Sequence, residues 1–229
     1  MPGGVEGVTV EAATQVEGHD YYGHARREIL PFLPERCGRL LDVGCAAGTT
    51  TGAIRTLRQV DWAAGVELDP EAARLARQRL DRVEEGFIEE APLEDFIAPA
   101  SLDLILCLDI LEHLVDPWAQ VRRLSPLLAP GGRLIVSVPN IRNWKFIWRL
   151  LAKGDFHYRD AGLLDRTHLR FFTRETASEL ALCGGLSLVA CRNATRYRPL
   201  ELRRLISRAT GGRAETLLAK QFIVVAEAR

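Results

Sequence analysis

Four short apolar runs constrain the fold of this chain more than any other feature: RLLDVG at 39–44, WAAGVEL at 62–68, LDLILCL at 102–108 and GRLIVSVP at 132–139. They are apolar at most positions rather than alternating, the pattern of strands covered on both faces. Helical patterns lie among them, PEAARLARQRL at 70–80 and DPWAQVRRLSPLL at 116–128. Strand and helix in alternation predict a doubly wound α/β architecture, a parallel sheet with helices on both sides. Asp69 precedes Pro70 and Asp116 precedes Pro117, so each helix opens on a side-chain cap followed by a proline that fits the first helical position.

After Pro139 the pattern changes. An aromatic and basic stretch (IRNWKFIWRLLAKGDFHYRD) leads into a polar loop (AGLLDRTHLRFFT), then a helix near 174–183, a strand near 186–194, a basic helix at 199–209 and a last strand, QFIVVAEA. At the other end, residues 1–18 are rich in glycine and small polar residues and are expected to be flexible. From 19 to 34 the spacing of Tyr22, Ala25, Ile29, Leu30 and Leu33 suits an amphipathic helix. A length of 229 residues suits one core, so residues 19–229 are read as a single domain.

Composition removes several classes. Five cysteines, an odd number with no C-x-x-C pair, indicate neither a disulfide framework nor a zinc site; they read as reduced packing residues. No stretch reaches the roughly 18 apolar residues that span a bilayer, and the N-terminus lacks a basic start followed by an apolar segment, so a cytoplasmic protein is expected. The formal charge of zero hides an asymmetry. Residues 1–141 hold 13 Lys and Arg against 22 Asp and Glu, whereas residues 142–213 hold 15 against 6. A basic C-terminal region points to an anionic ligand or surface, or to arginines that only solvate helices.

The segment LLDVGCAAGTT runs from a strand through a glycine turn into a helix, the place where doubly wound folds hold nucleotide-containing ligands. A dinucleotide fingerprint would need glycines at 44, 46 and 49, and only Gly44 is present, beside Ala46 and Thr49. Asp42 ends the strand, where its carboxylate would face the occupant of the turn, repelling phosphate and attracting a cation. Glu67 closes the next strand, where a carboxylate can accept from both hydroxyls of a ribose. The pair suits a positively charged nucleoside without phosphate.

The runs LLDVGCAAG, GVELDP, LDLILCLDILEHLVDP and LAPGGRLIVSVPN resemble the successive motifs of class I S-adenosylmethionine-dependent methyltransferases, in the branch that includes ubiquinone-type O-methyltransferases, over residues 20–185. GDFHY and GLLDRTHLRFFT are similar to a narrower bacterial group often linked to cell-surface glycan or lipid biosynthesis. The resemblance implies a Rossmann-like, seven-stranded, mostly parallel sheet whose last strand is antiparallel. It divides the domain into a cofactor half at 37–140 and acceptor-side elements at 19–34 and 141–215. Asp42, Gly44, Cys45, Ala46 and Gly48 would then surround the methionine moiety of S-adenosylmethionine, Glu67 and Leu68 the ribose and adenine, and Leu108 and Asp109 the methionyl end. Where many relatives carry Gly-Asp after the third strand this chain has Gly86-Phe87, so the acidic partner of the adenine amino group is missing or supplied by Glu89 or Glu90, and Phe87 and the Ile88 backbone are expected beside the adenine.

Methyl transfer from a sulfonium needs an aligned nucleophile, dry surroundings and, for a hydroxyl acceptor, somewhere for its proton to go. His113, in DILEH after the fourth apolar run, is the first choice for that base, against a purely structural histidine. His168, in DRTHLR, is the second, with Asp165 to orient its ring and Arg170 to grip an anionic group, against a salt-bridged knot that pins the loop. His19, His24 and His157 have weaker claims. Tyr21 and Tyr22 would close over the site as a lid. Trp144, Phe146, Trp148 and Tyr158, around Lys145, Arg149 and Lys153, would wall the acceptor pocket, pack in the core, or, with the 199–209 helix, rest on an anionic membrane surface at the inner face.

The expected activity is O-methylation of a small molecule, such as a glycan, a glycolipid precursor or another metabolite, anionic or lipid-linked. N-methylation of an amino sugar or amine stays open, as do an NAD-dependent oxidoreductase and a non-catalytic nucleotide-binding protein. Nucleic acid is not expected, since no recognised binding module occurs. Nothing in the sequence requires a metal; Asp109 with Glu112 is the one pair of carboxylates suited to a divalent ion.

Overall fold

The computed structural model describes residues 25–194 and 215–229. Tyr21, Tyr22, His19, His24, the 1–18 segment and the 199–209 helix therefore lie outside the described residues. Seven strands, β1 (Arg39–Val43), β2 (Trp62–Glu67), β3 (Arg82–Glu85), β4 (Leu102–Leu108), β5 (Leu128–Pro139), β6 (Ser187–Asn193) and β7 (Gln221–Glu227), form one sheet. The order is β3-β2-β1-β4-β5-β7-β6. All pairs are parallel except those of β7, which runs antiparallel to β5 and β6. The chain winds outward from β1 to β3, then crosses back to lay β4 on the other side of β1, and that switch opens a crevice at the carboxyl ends of β1 and β4.

The apolar runs are continuous because alternate residues feed two cores. Leu41, Val43, Ile105, Cys107, Leu134, Val136, Phe222 and Val224 pack on one face. Leu40, Leu104, Leu106, Ile135, Ile223 and Val225 pack on the other. Helices α1 (Thr49–Arg55), α2 (Pro70–Ala76), α3 (Pro117–Leu124), α4 (Trp144–Lys153), α5 (Arg174–Leu182) and α6 (Glu215–Leu218) complete the described elements, with short 3-10 turns. The two capping residues act as expected: Asp69 accepts from the Ala72 amide and Asp116 from the Ala119 amide, each before a proline.

Two local expectations are corrected, and one helix joins the elements read from the sequence. Within the described part of 19–34 the backbone is a 3-10 turn over Arg27–Phe32 that contains Pro31, not an α-helix; proline has no amide to donate to a helical ladder. The 116–128 pattern is α-helical only to Leu124 and ends in a 3-10 turn at Ser125–Leu127, beside Pro126, before β5 begins. The aromatic stretch at 144–153 is a helix, capped by the Asn143 side chain and stopped by Gly154 at φ 61°. Its only buried residue is Phe146, and its apolar stripe of Trp144, Trp148 and Leu151 lies exposed.

The polar loop is fastened to this frame. The Ile141 amide donates to the Phe172 carbonyl at 2.9 Å, and the Phe172 ring is 2% exposed, within 6.3 Å of Trp118. Removing a fully buried phenyl ring costs transfer energy and leaves a cavity. Phe172→Ala is accordingly expected to lower the unfolding free energy by about 3–5 kcal/mol, read from urea denaturation; a loss under about 1 kcal/mol would show that the ring does not anchor the loop.

Candidate active site

The turn after β1 takes its shape from backbone that few side chains tolerate. Gly44 and Gly48 have φ of 70° and 73°, and Ala46, between them, is left-handed at 48°. A Cβ at Gly44 would stand 3.1 Å from the Ile110 side chain, so the turn and the end of β4 are in contact. Gly65 in β2 is needed for a different reason: a Cβ there would meet the Cys45 sulfur at 2.5 Å. The turn is then tied to β2 by Glu67, whose Oε2 accepts from the Ala46 amide at 2.7 Å while Oε1 accepts from Asp69 at 2.9 Å. Each oxygen keeps a lone pair that a ligand hydroxyl can use.

Asp42 departs from the expected geometry. Its carboxylate does not face outward from the turn; it is 3% exposed and accepts from the Thr51 hydroxyl at 2.7 Å. Burial pushes its pKa up to about 7, with Thr51 opposing the shift and the charge of Glu67 adding to it. The carboxyl is therefore close to half ionised near neutral pH, and a cation brought to the turn would draw it toward the charged form.

Leu68 and Phe87, at the ends of β2 and β3, are 54% and 56% exposed, large apolar side chains left open beside the turn. Ile88 is buried behind them. Two apolar surfaces, a carboxylate with free lone pairs and a turn without phosphate-specific glycines together fit a nucleoside such as that of S-adenosylmethionine. Its adenine would lie by Leu68 and Phe87 and its ribose by Glu67.

At the end of β4, next to the half-exposed Leu108, Asp109 adopts a φ of 58°, an uncommon conformation for a residue with a side chain. A network holds it there. Its Oδ1 accepts from Ser137 at 3.0 Å and from Gln221, and its Oδ2 accepts from Arg26. Burial works against the charge of Arg26 and is outweighed by Asp109 and Glu28, so its pKa is raised and the guanidinium stays charged. Arg26, Ser137 and Gln221 went unrecognised in the sequence, because they come from three distant segments and carry no local motif.

Beyond Asp109 opens a cavity of about 600 Å³, lined among others by Asp109, Glu112, His113, Asp165, His168 and Gln221. Lys145, Arg149, Arg159 and Lys220 supply cationic side chains to its wall. His113 and His168, 55 positions apart in the chain, meet edge to face with ring centroids 4.7 Å apart. They meet because the amides of Leu169 and Arg170 both donate to the Glu112 carbonyl, at 2.8 and 3.0 Å. Burial, and then the neighbouring His168, lower the pKa of His113, which leaves its imidazole neutral at pH 7. Glu112 is fully buried and its pKa is raised well above the usual range, by burial and then by Asp109.

Other expected roles fall differently. His168 is oriented by the Leu163 carbonyl, 3.1 Å from its Nδ1, and not by Asp165, which accepts from the Thr167 amide and hydroxyl instead. Arg170 does not line the cavity: its guanidinium donates to the Val115 carbonyl, near the Trp118 ring. Trp144 and Tyr158 also lie outside the cavity wall, both largely exposed. Of the aromatic patch read from the sequence, Phe146 is the member that lines the cavity.

A family profile described as a methyltransferase domain matches residues 18–190. A ubiquinone biosynthesis O-methyltransferase of Xylella fastidiosa is 33% identical over 178 residues, 72% of this chain and 70% of the relative. Among solved structures, an S-adenosylmethionine-dependent methyltransferase from Archaeoglobus fulgidus aligns with a TM-score of 0.60 at 16% identity, covering 88% of this chain and 90% of that one. One from Mesorhizobium loti gives 0.60 at 16% identity, over 90% and 99%.

The Asp42 carboxyl yields a test of its own. Folded, it keeps its proton between its ordinary value of 3.8 and about 7, a window in which the unfolded chain has lost it. The folded state thus binds more protons there, and this group's contribution makes stability fall as pH rises. Asp42→Asn is expected to flatten the pH dependence across that window by up to about 1.4 kcal/mol per pH unit, measured by urea unfolding at a series of pH values. An unchanged slope would mean that the carboxyl ionises normally.

Proposed function

The chain belongs to the S-adenosylmethionine-dependent methyltransferase family, and from that premise we propose that it methylates a hydroxyl of a small acceptor held in the cavity beyond Asp109. The observation that carries this reading is continuity. The nucleoside turn touches Ile110, Asp109 borders both turn and cavity, and two histidines stand in the cavity wall. The chemistry supplied by bound S-adenosylmethionine is an electrophilic methyl carbon, which an acceptor oxygen takes in line while the bonding pair stays on sulfur.

The chain's own residues would do the rest. Glu67 accepts the ribose hydroxyls, and Leu68 and Phe87 flank the base. Asp109, fixed by Arg26, Ser137 and Gln221, presents an anion at the methionyl end. The Glu112–His113–His168 cluster takes up the proton that the acceptor hydroxyl gives up; a neutral imidazole with a depressed pKa suits that transfer at pH 7. Lys145 and Lys220, in the wall beside Arg149 and Arg159, which share Asp155, support an acceptor with an anionic group, such as a glycan or glycolipid precursor.

No helix among the described residues is long and apolar enough to cross a membrane. The outer face of α4 nevertheless exposes Trp144, Trp148 and Leu151 beside Lys145 and Lys153. This amphipathic face supports peripheral contact with an anionic bilayer, where a lipid-linked acceptor would be met.

Two outcomes test the reading. S-adenosylhomocysteine is expected to raise the melting temperature while NAD does not, since only a ligand of the native state stabilises it, and Glu67→Ala is expected to weaken that ligand by about tenfold or more through lost ribose bonds. Stabilisation by NAD alone would sink the assignment. With an acceptor in hand, His113→Ala should reduce kcat by about 100-fold or more and abolish a pH limb lying below 6.5, the ordinary histidine value. An intact limb would remove His113 from the proton path.

A further inference from the structure

We infer that Glu112, His113 and His168 form a binding site for one divalent transition-metal ion of the zinc type, open toward the acceptor cavity. Glu112 Oε, one nitrogen of His113 and one of His168 all lie within 4.8 Å of one another. Bonds of about 2.1 Å would need the donors drawn in by less than about 1 Å. Two imidazoles and one carboxylate make a three-residue set that leaves a coordination position free, the arrangement of catalytic rather than structural zinc sites.

Three independent observations point to a cation. First, both carboxylate oxygens of Glu112 are buried with no hydrogen-bond partner from any other described residue, and Glu112 itself is 0% exposed. A buried carboxyl without partners is costly unless something satisfies it. Second, His168 already has one ring nitrogen engaged by the backbone, its Nδ1 donating to the Leu163 carbonyl at 3.1 Å, and the His113 ring meets it edge to face with centroids 4.7 Å apart. Metal-bound histidines are oriented by a carbonyl contact of this kind, which fixes the tautomer and frees the other nitrogen. Third, the amides of Leu169 and Arg170 clamp their loop to the Glu112 carbonyl at 2.8 and 3.0 Å, so the donors are pre-positioned by main chain.

The sequence alone had pointed to Asp109 with Glu112 for any cation. Asp109 is instead engaged by Arg26, Ser137 and Gln221. All three residues of the set line the cavity; with the ion bound, His113 and His168 act as ligands in place of proton acceptors, and an acceptor hydroxyl would enter at the open position, where a Lewis acid lowers its pKa and its proton passes to water in the cavity. The inference deepens the proposed function and rests on it only for the identity of the acceptor; metal affinity is measured without any acceptor.

The test uses the full chain stripped with a chelator and dialysed, titrated with Zn2+ by calorimetry and with Co2+ by visible absorption. One ion per chain is expected, with the Co2+ ligand-field bands of a four- or five-coordinate site. His168→Ala and Glu112→Gln should each weaken binding by more than about tenfold while affinity for S-adenosylhomocysteine stays within about twofold, which shows the fold intact. Should either variant fail to fold, side-chain 15N spectra of the unaltered protein decide the matter: Zn2+ should shift two of the five histidines, and those two vanish as a pair in no other region. Absence of a saturable ion, unchanged affinity in the variants, or shifts confined to other histidines would overturn the inference. S-adenosylhomocysteine binding to the stripped protein is read separately, so a failed metal site and a failed methyltransferase assignment give different results.

Discussion

One carboxylate, Glu67, ties the nucleoside turn to the sheet. By accepting from the Ala46 amide at 2.7 Å it pins the turn against the end of β2. The left-handed residues Gly44, Ala46 and Gly48 then have a fixed partner. In the proposed complex the same carboxylate would accept the ribose hydroxyls, so structure and recognition would share one side chain, and Leu68 and Phe87, both exposed, would be covered by the base.

The second constraint is electrostatic. The crevice gathers Asp42, Glu67 and Asp109, with Glu112 in the cavity beyond, and the fold does not leave all four as free anions. Asp42 is buried and drawn toward neutrality, Asp109 is compensated by Arg26, and Glu112 is raised far above the usual carboxyl range. A crevice poised in this way gains from a cationic occupant, which recharges its carboxyls, and gains little from phosphate. Across Asp109 cationic side chains enter, as Lys145, Arg149, Arg159 and Lys220 join Asp160 and Asp165 in the cavity wall.

Much of the architecture was legible because it is written in local periodicity. β1, β2, β4 and the apolar end of β5 are continuous runs that feed two cores, and Asp69–Pro70 and Asp116–Pro117 mark helix starts by side-chain chemistry alone. α4 was not legible, since only Phe146 faces inward. In the site, the turn and Glu67 could be read, and so could His113 and His168 as separate residues. Their meeting could not, because it depends on the Leu169 and Arg170 amides docking on the Glu112 carbonyl. The outward-facing Asp42 was wrong because strand position gives a direction for a side chain but not the burial that Thr51 and α1 impose on it.

The most direct test is the crystal structure of the complex with S-adenosylhomocysteine. The adenine should lie between Leu68 and Phe87 with the ribose on Glu67, and the sulfur should face the cavity that holds His113 and His168. A nucleoside seated elsewhere, or a sulfur turned away from that cavity, would contradict the coupling of turn, Asp109 and cavity on which the function rests.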